Sequence, residues 1–489
     1  MLQTPDRAGG LPPFEYAPSR ASLSSLELRE RYGLYIGGEW LAASGGTAFA
    51  TIDPATENVL AQIAYAELPD VDRAVRAARR GYDKYWRKLS GAERAKYLFR
   101  LARAVADRAQ QFAILETLDG GKPIRRSREV DVPQAHAHFF HHAGWADKLA
   151  WAVQGPERAR PLGVVAALAP HAVPLWSAAR KVAPALACGN TVVLKPSETT
   201  PLSALLLAEA CRDADMPPGV VNVVTGDART GALLVEHEAV NAVAFGGTVE
   251  AGKAVRRTIA GTAKRCSLEL GARSAILVFD DAPLDQAIEG IVSTFYGNAT
   301  HLTSAGARLL VQESIAAEVI ERLRERLKTL RHGDPLDENT DVGPLPSRAQ
   351  RDAARESVAA AVADGAEAIA APWTPPERGF WMPATFLSGV QPSHRIARDD
   401  SESAAPALLT FRTPDEAIAR ANAAGEGLSA AVWSSTGALA LYAAQRLTAG
   451  VVWCDALNRF DPSAPYGGRK TSGLGREGGI AGLREYLET

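Results

Sequence analysis

Cysteine is scarce in this chain: four in 489 residues (Cys188, Cys211, Cys266 and Cys454), far apart and with no Cys-x-x-Cys pair. That spacing excludes a zinc ribbon or a disulfide scaffold and predicts reduced, mostly buried thiols. Charge of one sign is lacking too. The formal net charge is −2, with lysines and arginines spread along the chain, so neither nucleic acid nor an anionic membrane is expected as a partner. No apolar stretch reaches the ~20 residues that a bilayer span requires, so no membrane association is predicted. Residues Met1 to Arg7 carry no apolar run behind a basic segment. The expectation is no signal peptide and a cytoplasmic location.

What is present belongs to an ordinary globular protein, with 46% hydrophobic and 22% charged residues and a length that predicts two or three domains. Residues 1–30, with Gly-Gly, Pro-Pro and a serine patch, read as a flexible arm. Helical patterns run from about Val71 to Trp145, with Asp70 as the expected cap of the first helix. Between Pro161 and Gly271 the pattern alternates. Short apolar runs at 163–168, 191–194, 220–224, 242–245 and 267–270 are separated by helix-length segments such as 201–212 and Val249–Ile259. Continuous apolar strands between helices predict a parallel sheet covered on both faces. A second α/β region follows from Ala275, with a helix over 313–330 that puts Ile315, Val319, Leu323, Leu327 and Leu330 on one face.

Two features suit a nucleotide. The strand at 191–194 ends in Lys195-Pro196-Ser197-Glu198. An ammonium there can donate to a ribose hydroxyl, while Glu198 accepts from the 2′-hydroxyl and repels a 2′-phosphate, which favours NAD over NADP. Phe245-Gly246-Gly247-Thr248 opens a helix directly after a strand, so backbone N–H groups can face a pyrophosphate. Taken singly, a surface Lys–Glu pair and a simple tight turn explain the two equally well.

The order of several longer strings is more specific. Ile52-Asp53-Pro54-Ala55-Thr56, Leu115-Glu116-Thr117-Leu118-Asp119-Gly120-Gly121-Lys122-Pro123, the run from Ala183 to Glu198, Leu268-Glu269-Leu270-Gly271 and the run from Pro465 to Glu477 together resemble the aldehyde dehydrogenase superfamily from about Tyr32 onward. The resemblance implies an aldehyde-dehydrogenase-type α/β fold. A Rossmann-like cofactor domain would occupy 31–148 and 162–271, with a shortened oligomerisation hairpin at 149–161. A catalytic-type α/β domain would span 272–457, and 458–489 would return to the cofactor domain.

In that family a thiolate attacks the aldehyde, an asparagine and a backbone N–H hold the oxyanion, hydride passes to NAD, and a glutamate activates the water that releases the acid. The resemblance puts the glutamate on Glu269, the adenosine-binding pair on Lys195 and Glu198, a turn close to the cofactor on Gly226 and a second ribose-binding glutamate on Glu402. Ser197, between the members of that pair, and Gly247 and Thr248, in the turn read above, complete the expected cofactor contacts. The oxyanion asparagine of Pro-Trp-Asn-Phe-Pro falls on Ala172, within Pro170-His171-Ala172-Val173-Pro174. Anchored on Ala305 and Arg308, the nucleophile position is Thr303.

Loss of one oxyanion donor costs ~10²–10³ in turnover, and loss of a nucleophile can cost on the order of 10⁶. Cysteine-dependent oxidation of a small-molecule aldehyde is therefore expected to be lost. The expected protein is an NAD-binding pseudoenzyme or partner subunit that pairs with a related active chain. The alternative is a cysteine-independent oxidoreductase using Glu269 with Thr303 or His301. Cys266, an odd number of strand residues from Glu269, should face away from it, and Cys454 reads as a core residue. His136, His138, His141 and His142 read as a histidine-rich surface between helices, with no metal.

Overall fold

A computed structural model describes residues 17–153, 159–271, 274–297, 308–398 and 405–488. His301, Thr303 and Glu402 therefore lie outside the described residues, as does the start of the N-terminal arm. Two large sheets organise the chain. The first has eight strands in the spatial order Gly473–Leu474, Arg265–Leu270, Ala242–Gly247, Val164–Leu168, Thr191–Lys195, Val221–Val223, Leu34–Ile36, Glu39–Leu41. Its five central strands are parallel, and the strands added at either edge are antiparallel. Val164–Leu168, Thr191–Lys195 and Val221–Val223 are buried along their whole length, as strands with helices on both faces must be.

The second sheet has seven strands, in the order Glu367–Ala370, Thr385–Ser388, Ala407–Phe411, Arg308–Gln312, Ala275–Val278, Ser429–Trp433, Val451–Cys454. All its pairings are parallel except the first. The chain thus forms the mixed α/β architecture that the sequence predicts. No helix among the described residues is long and apolar enough to cross a membrane.

Several local expectations are corrected. The first helix, Leu68–Lys84, starts three residues earlier than read, and its N-cap is Glu67. Asp70 sits in the first turn and accepts from the Glu67 backbone N–H at 3.2 Å, so it closes a capping box. Residues 17–30 are tied down: Ala21 N donates to Leu336 O, and Arg20 pairs with Asp334 at 2.8 Å. At the start of the expected hairpin, Leu149–Ala152 is a helical turn that buries Leu149 and Ala152 and exposes Trp151. Farther on, Pro161 bridges Leu487 of the same chain.

The helix predicted over 313–330 begins as a tighter turn, Glu313–Ile315, before the α-helix Ala316–Lys328. His138 and His142 are buried, not on a surface, because the helix Val132–Trp145 packs that face against Pro174–Ala187. Cys454 is exposed. It ends an edge strand on which Trp453 takes the inward position, so the alternation of the strand turns the thiol out.

Candidate functional site

From Val164–Leu168 the chain adds two parallel strands on one side and then two on the other. Connections leave in opposite directions from that point, and sheets of this topology take their ligands in a crevice at the carboxyl ends of the strands there. Lys195 ends the strand next to Val164–Leu168 on one side, and Gly246 and Gly247 end the neighbour on the other. The sequence-predicted positions thus gather along one sheet edge.

Lys195 is buried, and its ammonium donates to Glu198 at 3.5 Å. Burial holds its pKa below the usual lysine range, with Glu198 opposing. Most of that ammonium's donor capacity is unspent on Glu198. Glu198 itself is exposed, and the Ser197 hydroxyl lies 2.9 Å from that of Thr199. Gly226 follows the strand Val221–Val223 at φ 154°, and a Cβ on it would lie 2.1 Å from Thr230 Oγ1. A side chain there would close the turn. Thr248 caps the helix Val249–Ile259 by accepting from Ala251 N at 3.2 Å.

Glu269 lies on the next strand, in register with Gly246. Its carboxyl group points into a buried cluster of four ionisable side chains. Arg180 Nη1 donates to Glu269 Oε1 at 3.1 Å, and Arg180 Nη2 lies 2.8 Å from Glu477 Oε2. Lys181 Nζ donates to Glu477 Oε1 at 2.7 Å and lies 3.7 Å from Glu269 Oε2. All four side chains are at most 7% exposed. The Arg180 guanidinium also stands 4.6 Å from the Tyr466 ring centre and 5.7 Å from that of Trp176, within cation–π range.

Burial pushes the Glu269 carboxyl up, with Arg180 opposing. Burial also acts to raise Glu477, but Arg180 and Lys181 outweigh it and pull that carboxyl down to about 2. Glu477 is thus the firmly ionised member of the pair.

Among the predicted residues, the structure brings Lys195, Ser197, Glu198, Gly226, Gly247, Thr248 and Glu269 to the carboxyl ends of one sheet. Ala172, at the asparagine position, is buried beside the start of the helix Pro174–Ala187. Cys266 packs with Leu268 and Leu270 in the apolar layer on the opposite side of the strand from Glu269, and burial pushes its thiol up to about 11. Cys188 and Cys211 are fully buried.

Sequence reasoning missed Arg180, Lys181 and Glu477. The signal was available, since Arg180 and Lys181 are the sole charges in the Pro174–Ala187 helix, whose other residues are apolar except Ser177. Two adjacent cations on a buried helix require carboxylates from elsewhere.

Comparison with known proteins agrees with this geometry. The model of the aldehyde dehydrogenase family matches residues 40–489. Retinal dehydrogenase 2 of Homo sapiens is 37% identical over 466 residues, covering 93% of this chain and 90% of the human protein. An NAD-dependent aldehyde dehydrogenase from Sinorhizobium meliloti superposes with a TM-score of 0.90 at 37% identity, over 95% of this chain and 94% of that one. The NAD+ complex of an aldehyde dehydrogenase from Bacillus cereus does so with a TM-score of 0.91 at 34% identity, over 94% and 96%. With its sheet order, its strand-end residues and these matches in agreement, the chain belongs to the aldehyde dehydrogenase family.

Proposed function

We propose that this protein binds NAD in the strand-end crevice but does not oxidise aldehydes by the thiolate route, and that it serves as a pseudoenzyme or partner subunit to a related active chain. The observation that carries this reading is chemical: position 303 is threonine. An alcohol is a weak nucleophile without a dedicated base. The other thiols offer no substitute, because Cys266 faces away from Glu269, Cys188 and Cys211 are enclosed, and Cys454 ends the exposed edge of the second sheet.

The cofactor fits the residues present. Lys195 offers buried, under-used donors for a ribose hydroxyl, and Glu198 accepts from its neighbour and disfavours a 2′-phosphate. Gly226 leaves the turn open, while the backbone after Gly247 and the capped helix behind Thr248 present N–H groups toward phosphate. Bound NAD supplies a hydride acceptor. The Ala172 side chain cannot donate to an oxyanion, so the donor that an asparagine would supply to a tetrahedral adduct is missing.

Calorimetric titration with NAD, run beside an NADH-formation assay over a panel of aldehydes, tests the reading. Binding without turnover is the expected result. Turnover at ordinary dehydrogenase rates overturns it. Turnover abolished by Glu269→Gln and Thr303→Ala would identify the cysteine-independent route in its place.

A further inference from the structure

We propose that Arg180 is a positioning residue that withdraws Glu269 from base chemistry and makes it, with Glu477, a clasp holding the C-terminal return against the cofactor domain. This rests on the reading of a lost thiolate route and adds a second, independent block to it.

Three elements meet at the clasp. Arg180 and Lys181 project from the helix Pro174–Ala187, Glu269 from the strand Arg265–Leu270, and Glu477 from the C-terminal segment. A carboxylate that is to take a proton from water needs a lone pair that water can reach. Glu269 has Oε1 bonded to Arg180 and Oε2 near Lys181, and its side chain is 7% exposed. The guanidinium is itself immobilised, spanning two carboxylates and lying against Tyr466 and Trp176. Rotating Glu269 toward the crevice would strand a buried arginine with half its counter-charge, and burying an uncompensated charge is costly.

The same segment is anchored by neighbouring contacts. Leu270 N donates to Ser472 O, Tyr466 and Glu477 exchange two backbone hydrogen bonds of 2.7 Å, and Gly473 pairs with Glu269. The clasp therefore sits where the returning chain closes over the sheet. It matches two cationic side chains with two carboxyl groups, which fits a structural role. Lys181 already serves Glu477, so Arg180 is the member that captures Glu269.

Two measurements on the full-length chain decide it. First, a thiol is restored with Thr303→Cys, and the variant is given p-nitrophenyl acetate. The thiolate attacks the acetyl carbon, the ester C–O bond breaks and p-nitrophenolate leaves. Water then adds to the thioester, its proton passes to a base, and the C–S bond breaks to free acetate.

The expected result is a burst of nitrophenolate followed by slow turnover. Adding Arg180→Met should raise the steady rate by roughly 10²-fold, the scale of a general-base contribution, and adding Glu269→Gln to that pair should return it to the slow value. A merely structural Arg180 would not move this rate. Equal steady rates with and without Arg180→Met overturn the proposal. Absence of any burst also overturns it, because the block would then precede Glu269. If Arg180→Met does not fold, Arg180→Gln takes its place.

Second, in the chain with Thr303 intact, Arg180→Met and Glu269→Gln should each lower the unfolding midpoint by roughly 5 °C. The double variant should fall well short of the sum. Additive losses overturn the clasp. Aldehyde turnover by the unaltered chain would instead sink the functional reading while leaving both clasp measurements interpretable.

Discussion

At the scale of single residues, the interior contains charges that the apolar pattern does not announce. Lys122 is enclosed with Glu116 and Asp131, donating to Asp131 at 2.6 Å and to Glu116, and Glu116 in turn accepts from Leu175 N at 2.7 Å. Asp119, on the helix Ala109–Gly120 with Glu116, is buried and accepts from the Thr51 hydroxyl and from Leu202 N. Burial pushes its carboxyl up to about 7, with those two hydrogen bonds opposing. The sign of the linkage follows. A carboxyl whose folded pKa exceeds the unfolded ~3.9 favours folding most below that unfolded value, and the advantage is lost as pH rises through about 7. Asp119→Asn keeps the shape without the charge. Urea unfolding at pH 5, 6.5 and 8 should show the variant gaining on the parent as pH rises. A constant difference across the three would contradict the argument.

Among elements, the contact of the helix Val132–Trp145 with Pro174–Ala187 should respond to acid in the opposite sense. His138 and His142 stack with ring centres 5.8 Å apart inside that contact, and the His142 Nδ1 lies 2.7 Å from the His138 carbonyl. Burial pushes His142 down to about 3 and holds His138 well below its usual range, with Arg180 and Lys181 adding repulsion at His138. A histidine with a depressed folded pKa contributes stability above ~6.5 and loses it as pH falls, at about 1.4 kcal/mol per pH unit for each proton. His142→Phe should therefore flatten the decline in urea midpoint between pH 6.5 and 5. An unchanged slope would place the acid sensitivity elsewhere.

Elements were the scale most legible in the sequence. The helix Val249–Ile259 has the expected bounds, and the five central strands fall on the expected apolar runs, because a strand buried on both faces must be continuously apolar. Less legible was anything settled by a partner far along the chain. Which histidines go inside depends on the facing helix, and the demands of Arg180 and Lys181 are met by Glu269 and Glu477, 89 and 296 residues along the sequence respectively. The Asp70 misreading was a local one: Glu67 and Asp70 both suit a cap, and Pro69 in the first turn favours the earlier start.

Over the whole molecule, the crevice gathers ends of strands that are far apart in sequence, so a ligand there should stabilise the fold globally. Ligand at a hundredfold excess over its Kd adds about 2.7 kcal/mol to the folded state. The two nicotinamide dinucleotides should not do so equally. The Glu198 carboxylate is exposed, 3.5 Å from the Lys195 ammonium, and on the proposed reading a 2′-phosphate would bring a dianion against it. Coulomb repulsion between unit charges at about 4 Å is worth on the order of 1–4 kcal/mol between bulk water and a protein surface. NAD should thus raise the unfolding midpoint at concentrations where NADP does little. Glu198→Ala should lessen the difference by relieving the repulsion of NADP, and Lys195→Met should weaken the effect of both nucleotides. Equal shifts by NAD and NADP in the unaltered chain would mean that Glu198 does not face the ribose, and the crevice assignment would have to move along the sheet edge.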